Sequence, residues 1–67
     1  MNKFILTRKV DNRRIVYVRS HGGSAVVSEE MSDARIFHGE NYARDVMHRL
    51  NKRLTNEEDR WECWESA

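Results

Sequence analysis

The sequence predicts a small α+β domain, an antiparallel sheet of three or four strands with one main helix packed on one of its faces. Three observations predict it. Two short N-terminal runs rich in β-branched and aromatic residues flank Asp11 and Asn12. A stripe of apolar residues at helical spacing follows Gly39. An aromatic segment, Trp61 to Trp64, then follows an acidic stretch.

The first run places Phe4, Leu6 and Val10 on one face and Ile5 and Thr7 on the other, the alternation of a pleated strand. Asp11, Asn12, Arg13 and Arg14 interrupt it, and because Asp and Asn tolerate tight turns a hairpin is expected there. The return strand, Ile15 to Arg19, sets Ile15, Tyr17 and Arg19 against Val16 and Val18. Gly22 and Gly23 permit positive φ at no steric cost, so a second turn leads to a short strand through Ala25, Val26 and Val27. Ser32 and Asp33 suit the cap of a single helical turn that seats Ala34 and Phe37; a short strand through Ile36 is the alternative.

Ala43, Val46, Met47, Leu50 and Leu54 form the helix stripe, with Phe4, Leu6, Tyr17 and Phe37 as its natural partners on the sheet. Glu40–Arg44 and Asp45–Arg49 are acid-to-base pairs four residues apart, each worth roughly 0.2–0.5 kcal/mol. Lys52 and Arg53 suit the negative end of the helix dipole. After Thr55 the pattern forks. Asn56 with Glu57, Glu58 and Asp59 suits a second helix start, whereas Arg60 to Glu65 alternates Trp61 and Cys63 against Glu62 and Trp64 as a closing strand. The aromatic content favours the strand.

With 67 residues, 34% charged and 39% hydrophobic, residues 1–67 are expected to form one folded domain with a small core. Burial of further apolar surface against a partner, or against a second copy in a homodimer, would stabilise so small a core. Cys63 has no second cysteine to pair with. No apolar run resembles a secretory signal or membrane span, so a cytoplasmic protein without membrane contact is expected.

Chemistry is sparse. His21, His38, His48 and Cys63 lack metal-ligand spacing, and Gly22-Gly23 lacks the lysine and helix start of a phosphate loop. Cys63 beside a histidine and Asp59 or Glu62 is a constellation that chance supplies in many chains. The sequence therefore points to no catalytic residue, no metal and no cofactor, and to binding instead of catalysis.

Charge is distributed unevenly. Residues 1–21 carry Lys3, Arg8, Lys9, Arg13, Arg14 and Arg19 against Asp11, while residues 55–67 carry Glu57, Glu58, Asp59, Glu62 and Glu65 against Arg60. Two candidate surfaces follow. Trp61 and Trp64, rimmed by Glu62 and Glu65, have the make-up of a protein-binding anchor in a polar surround; the alternative is that Trp61 closes the core and Trp64 covers its edge. Arg8, Lys9, Arg13, Arg14 and Arg19, with Tyr17 as a stacking platform, would instead suit nucleic acid.

Ala34-x-x-Phe37, followed by Ala43 and Leu50, resembles a pattern in short accessory proteins of bacteriophages and prophages. Phe4 to Val18 looks like the hairpin of those proteins, and Met31 to Leu50 like their turn and helix. The resemblance implies a protein that binds and inhibits or modulates a host protein complex, such as a defence system, and it assigns no binding residue. The paired tryptophans lie outside the pattern.

Overall fold

The structure, a computed structural model, describes residues 2–66. Strand β1 (Lys3–Val10) turns through Asp11 and Asn12 into β2 (Arg13–His21), and Gly22 and Gly23 turn β2 into β3 (Ser24–Ser28). Each is a two-residue turn, since Val10 pairs with Arg13 and His21 with Ser24. Asp11, Asn12, Gly22 and Gly23 have φ of 50°, 66°, 57° and 83°. Left-handed backbone at both central positions matches the twist of the flanking strands, and Asn, Asp and Gly reach it at least cost.

A 3-10 turn (Met31–Asp33) leads to helix α1 (Glu40–Asn51), and strand β4 (Glu62–Ser66) follows. The strands form one antiparallel sheet in the order β3-β2-β1-β4. The α+β architecture expected from the sequence is the one observed, with β4 as its fourth strand.

The sheet has two unequal faces. Phe4, Leu6 and Tyr17 point to α1 and form the main core with Phe37, Ala43, Met47 and Trp61. Ile5, Val16 and Ala34 make a smaller cluster on the opposite face. Tyr17 organises the main core: its ring stacks on Phe37 with centroids 6.2 Å apart and meets Trp61 edge-on at the same distance.

The sheet also splays. Tyr17 pairs with Val27 but Arg19 pairs with Val26, so Val18 is an extra residue that bends β2. Pairing of β1 with β2 starts at Thr7 and Val16 and runs only toward the hairpin turn. Residues 35–37 enter the gap: the Arg35 N–H donates to the Tyr17 carbonyl at 2.9 Å, and Phe4 and Phe37 exchange N–H···O bonds of 2.8 Å. The wedge carries the Phe37 side chain into the core, where it is 1% exposed. The expected turn before Phe37 is present, but Ser32 and Asp33 do not cap it. Instead Ser28 Oγ donates to Asp33 at 2.7 Å and accepts the Glu30 N–H.

Helix α1 buries Ala43 and Met47, with Val46 and Leu50 half-buried beside them and Arg44 and His48 exposed. It stops at Asn51, so Leu54 joins the core from the turn beyond the helix. Both acid-to-base pairs form, Glu40–Arg44 and Asp45–Arg49, at 2.9 Å. The acidic stretch forms a turn and not a second helix. Glu58 accepts the Thr55 N–H and hydroxyl, each at 3.1 Å, and its own N–H donates to the Thr55 carbonyl.

Asn51 then joins the end of α1 to the start of β4. Its Oδ1 accepts the Trp61 N–H at 2.7 Å and its Nδ2 donates to the Trp61 carbonyl at 3.3 Å. Asn51→Ala should destabilise the fold by about 1–3 kcal/mol, the cost of leaving part-buried backbone groups unmatched; an unchanged denaturation midpoint would show the clamp to be dispensable. Thr7 is fully buried, and among the described residues its hydroxyl has no hydrogen-bond partner. Thr7→Val, which replaces that hydroxyl by a methyl group at a β-branched strand position, should therefore raise the thermal midpoint, and a lower midpoint would contradict it.

Candidate functional site

The aromatic segment is divided between the two faces. Trp61 is 4% exposed and belongs to the core, so of the two tryptophans proposed as partner contacts it is a structural one. Its burial follows from the Asn51 clamp, which sets its indole edge-on to Tyr17. Cys63, opposite Leu6, packs against the same core. Glu65, opposite Phe4, follows the alternation onto that side too and so does not rim Trp64.

Glu62 and Trp64 turn to the face away from α1, with Trp64 39% exposed. The Arg14 guanidinium lies over the Trp64 ring at 4.8 Å from its centroid, and the indole N–H donates to Glu62 Oε1 at 2.9 Å. Arg14 also reaches Glu62 Oε1 at 3.4 Å, so two mutually paired side chains hold the indole in one orientation. A preset ring loses less rotamer entropy on docking.

Trp64 does not stand alone. Ile5 is its cross-strand neighbour, and the Phe4–Phe37 bridge puts Ile36 on the other side of Ile5. The row Trp64–Ile5–Ile36 crosses the open face with its centre buried and its ends 39% and 40% exposed. Ile36 was legible in principle, because alternation through residues 34–37 groups it with Ala34. The wedge that brings it beside Ile5 was not.

The hairpin set is dispersed by the structure. Arg8 and Arg13 share the α1 side with Val10, whereas Lys9 and Arg14, paired in register, share the open side. Arg8 binds Glu58 at 3.2 Å and lies 5.9 Å from the Trp61 centroid; Arg13 binds Glu29 at 3.3 Å. Tyr17 is 2% exposed with its hydroxyl bonded to Ser20 Oγ at 2.8 Å, so its ring is no stacking platform. Arg19 lies past the bulge, beside a groove bordering α1.

Burial pushes the Cys63 thiol up, away from the thiolate a nucleophile needs. His21, His38 and His48 are exposed, and among the described residues no three His, Cys, Asp or Glu side chains are grouped to hold a metal. No helix among the described residues is long and apolar enough to cross a membrane.

The Glu58 carboxylate is perturbed by its partners. Hydrogen bonds from the Thr55 backbone and hydroxyl, then from Arg8, hold it below the usual carboxylate range. A lowered folded-state value means its contribution to stability is complete above the unfolded value and is lost as pH falls through the folded one. Glu58→Gln should therefore lower the thermal midpoint at neutral pH and match the parent in acid. An equal loss at both would assign the effect to packing.

No protein-family model matches this chain, and neither the curated proteins nor the solved structures give a match to it.

Proposed function

We propose that this protein is a small interaction module, without a reaction of its own, that binds a protein partner through the open sheet face around Trp64. The observation that carries this reading is the row Trp64–Ile5–Ile36, an apolar strip with a fixed tryptophan and a charged Arg14–Glu62 flank. Such a strip has the composition of an interface centre, where a rigid aromatic anchor contributes most and the polar surround excludes water. β4 is an edge strand, so its outer backbone groups are also open to strand addition by a partner.

The resemblance to phage accessory proteins makes a host protein complex the proposed target and inhibition or modulation the proposed outcome. A second copy of the chain is the other occupant to be distinguished. Nucleic-acid binding through the hairpin has less support, because Arg8, Arg13 and Arg14 each meet a glutamate and Tyr17 is enclosed.

Trp64→Ala and Ile36→Glu alter exposed positions and should leave the fold intact. Sedimentation of the purified protein reports self-association, and affinity capture from host lysate, with nucleic acid quantified, reports other partners. Both variants should release whichever protein the parent holds while melting within a few degrees of it. Retention of the same partner by both would place the interface elsewhere.

A further inference from the structure

A second surface, separate from the Trp64 face, carries a charge pattern that the fold does not neutralise. A groove of about 430 Å³ runs between α1 and the β2–β3 end of the sheet. Arg19 and Arg35 enter it from β2 and the wedge, Arg49 from α1, and Arg53 from the turn after α1. Among the described residues its lining contains no carboxylate. We infer that this groove binds a nucleotide unit, its phosphate held by the arginines and its base stacked on Tyr42.

Charge supports the phosphate half. Four arginines outside the groove are matched, since Arg8, Arg13, Arg14 and Arg44 each bind a glutamate within 3.4 Å, and a fifth, Arg60, donates to the Asn51 carbonyl. In the groove only Arg49 has an ion-pair partner among the described residues, Asp45 at 2.9 Å. Like charges drawn together without counter-charges repel, and an anion between them relieves that cost. Guanidinium groups are suited to a phosphate because their paired N–H donors match its oxygens.

The turn at Gly23 accommodates this arrangement. A Cβ added to Gly23 would lie 3.1 Å from Arg53 Nη1, so the bare backbone lets the guanidinium lie against it. Gly23 also has a φ of +83°, which disfavours other residues. The glycine that closes the second hairpin therefore also makes room for a groove arginine.

Tyr42 supports the base half. It is 52% exposed at the groove wall, yet its ring is anchored edge-on to Phe37 at 5.5 Å. Arg35 lies over both rings, 4.9 Å from Phe37 and 5.8 Å from Tyr42, and donates to the Tyr42 hydroxyl at 3.4 Å. An exposed ring held in place beside several guanidinium groups is the combination that sequence-tolerant nucleotide binders use. The groove volume falls within the roughly 300–1,000 Å³ of small-molecule sites. A free nucleotide and a single strand present the same phosphate and base, and the groove chemistry serves either.

Fluorescence anisotropy with labelled oligothymidylate and calorimetry with ATP distinguish those sources. At about 50 mM salt at least one should bind, and the affinity should fall as salt rises. Arg19→Ala with Arg53→Ala, and separately Tyr42→Leu, should each weaken binding about tenfold, with Tyr42→Phe close to the parent. Arg13→Ala and Trp64→Ala should leave it unchanged, which separates this site from the proposed protein-binding face. Binding of ATP alone or of the strand alone identifies the source within the inference. Failure of both to bind overturns it. So would equal weakening by Arg13→Ala, or equal affinity for duplex DNA or polyglutamate, since charge without stacking would then suffice.

Discussion

The amide of Asn51 determines how the last third of the chain meets the rest. By matching both backbone groups of Trp61, it fixes where the chain returns to the sheet after the acidic turn. Arg60 reinforces the junction by donating to the Asn51 carbonyl at 2.9 Å. Trp61 is thereby set edge-on to Tyr17, and the strand that follows has one register available, Leu6 with Cys63 and Ile5 with Trp64. A shift of one residue would exchange Cys63 and Trp64 between faces, burying the indole that now stands outside and exposing part of the core.

Aromatic packing and backbone pairing reinforce one another at the centre of the domain. Tyr17 touches Phe37 on one side and Trp61 on the other, so the wedge and the C-terminal strand both depend on it. The bulge at Val18 makes this geometry accessible, since without it β2 would continue beside β1 and exclude residues 35–37. A gap in one sheet thus becomes the seat of the most deeply placed phenylalanine. The same wedge faces Ile36 outward and Arg35 toward the groove, so both candidate surfaces share one structural origin.

The opposed charges at the two ends of the chain are used within the molecule. Arg8 with Glu58 and Arg14 with Glu62 link the hairpin to the C-terminal segment across 50 and 48 residues. Exposed pairs of this kind typically contribute about 0–1 kcal/mol each, so they select orientation more than they supply stability. They occupy hairpin arginines, whereas Arg19, Arg35 and Arg53 in the groove beside α1 have no ion-pair partner among the described residues.

The sequence by itself determined the architecture. Alternation in β1 and β2, turn residues that accept positive φ, the α1 stripe and the aromatic alternation in β4 are local signals, each written within a few neighbouring residues. It also indicated that Trp64 faces outward, because a strand's two faces follow from its period. Only the tertiary structure decided the membership of the surfaces. Trp61 became core, Glu65 took the face opposite Trp64, Tyr17 was enclosed, and the hairpin arginines separated. Ile36 joined Trp64 across the sheet, while Arg19, Arg35, Arg49 and Arg53 met in one groove. The physical reason is distance along the chain: these groupings depend on a bulge, a wedge and an asparagine clamp that join remote segments, and no local period encodes such contacts.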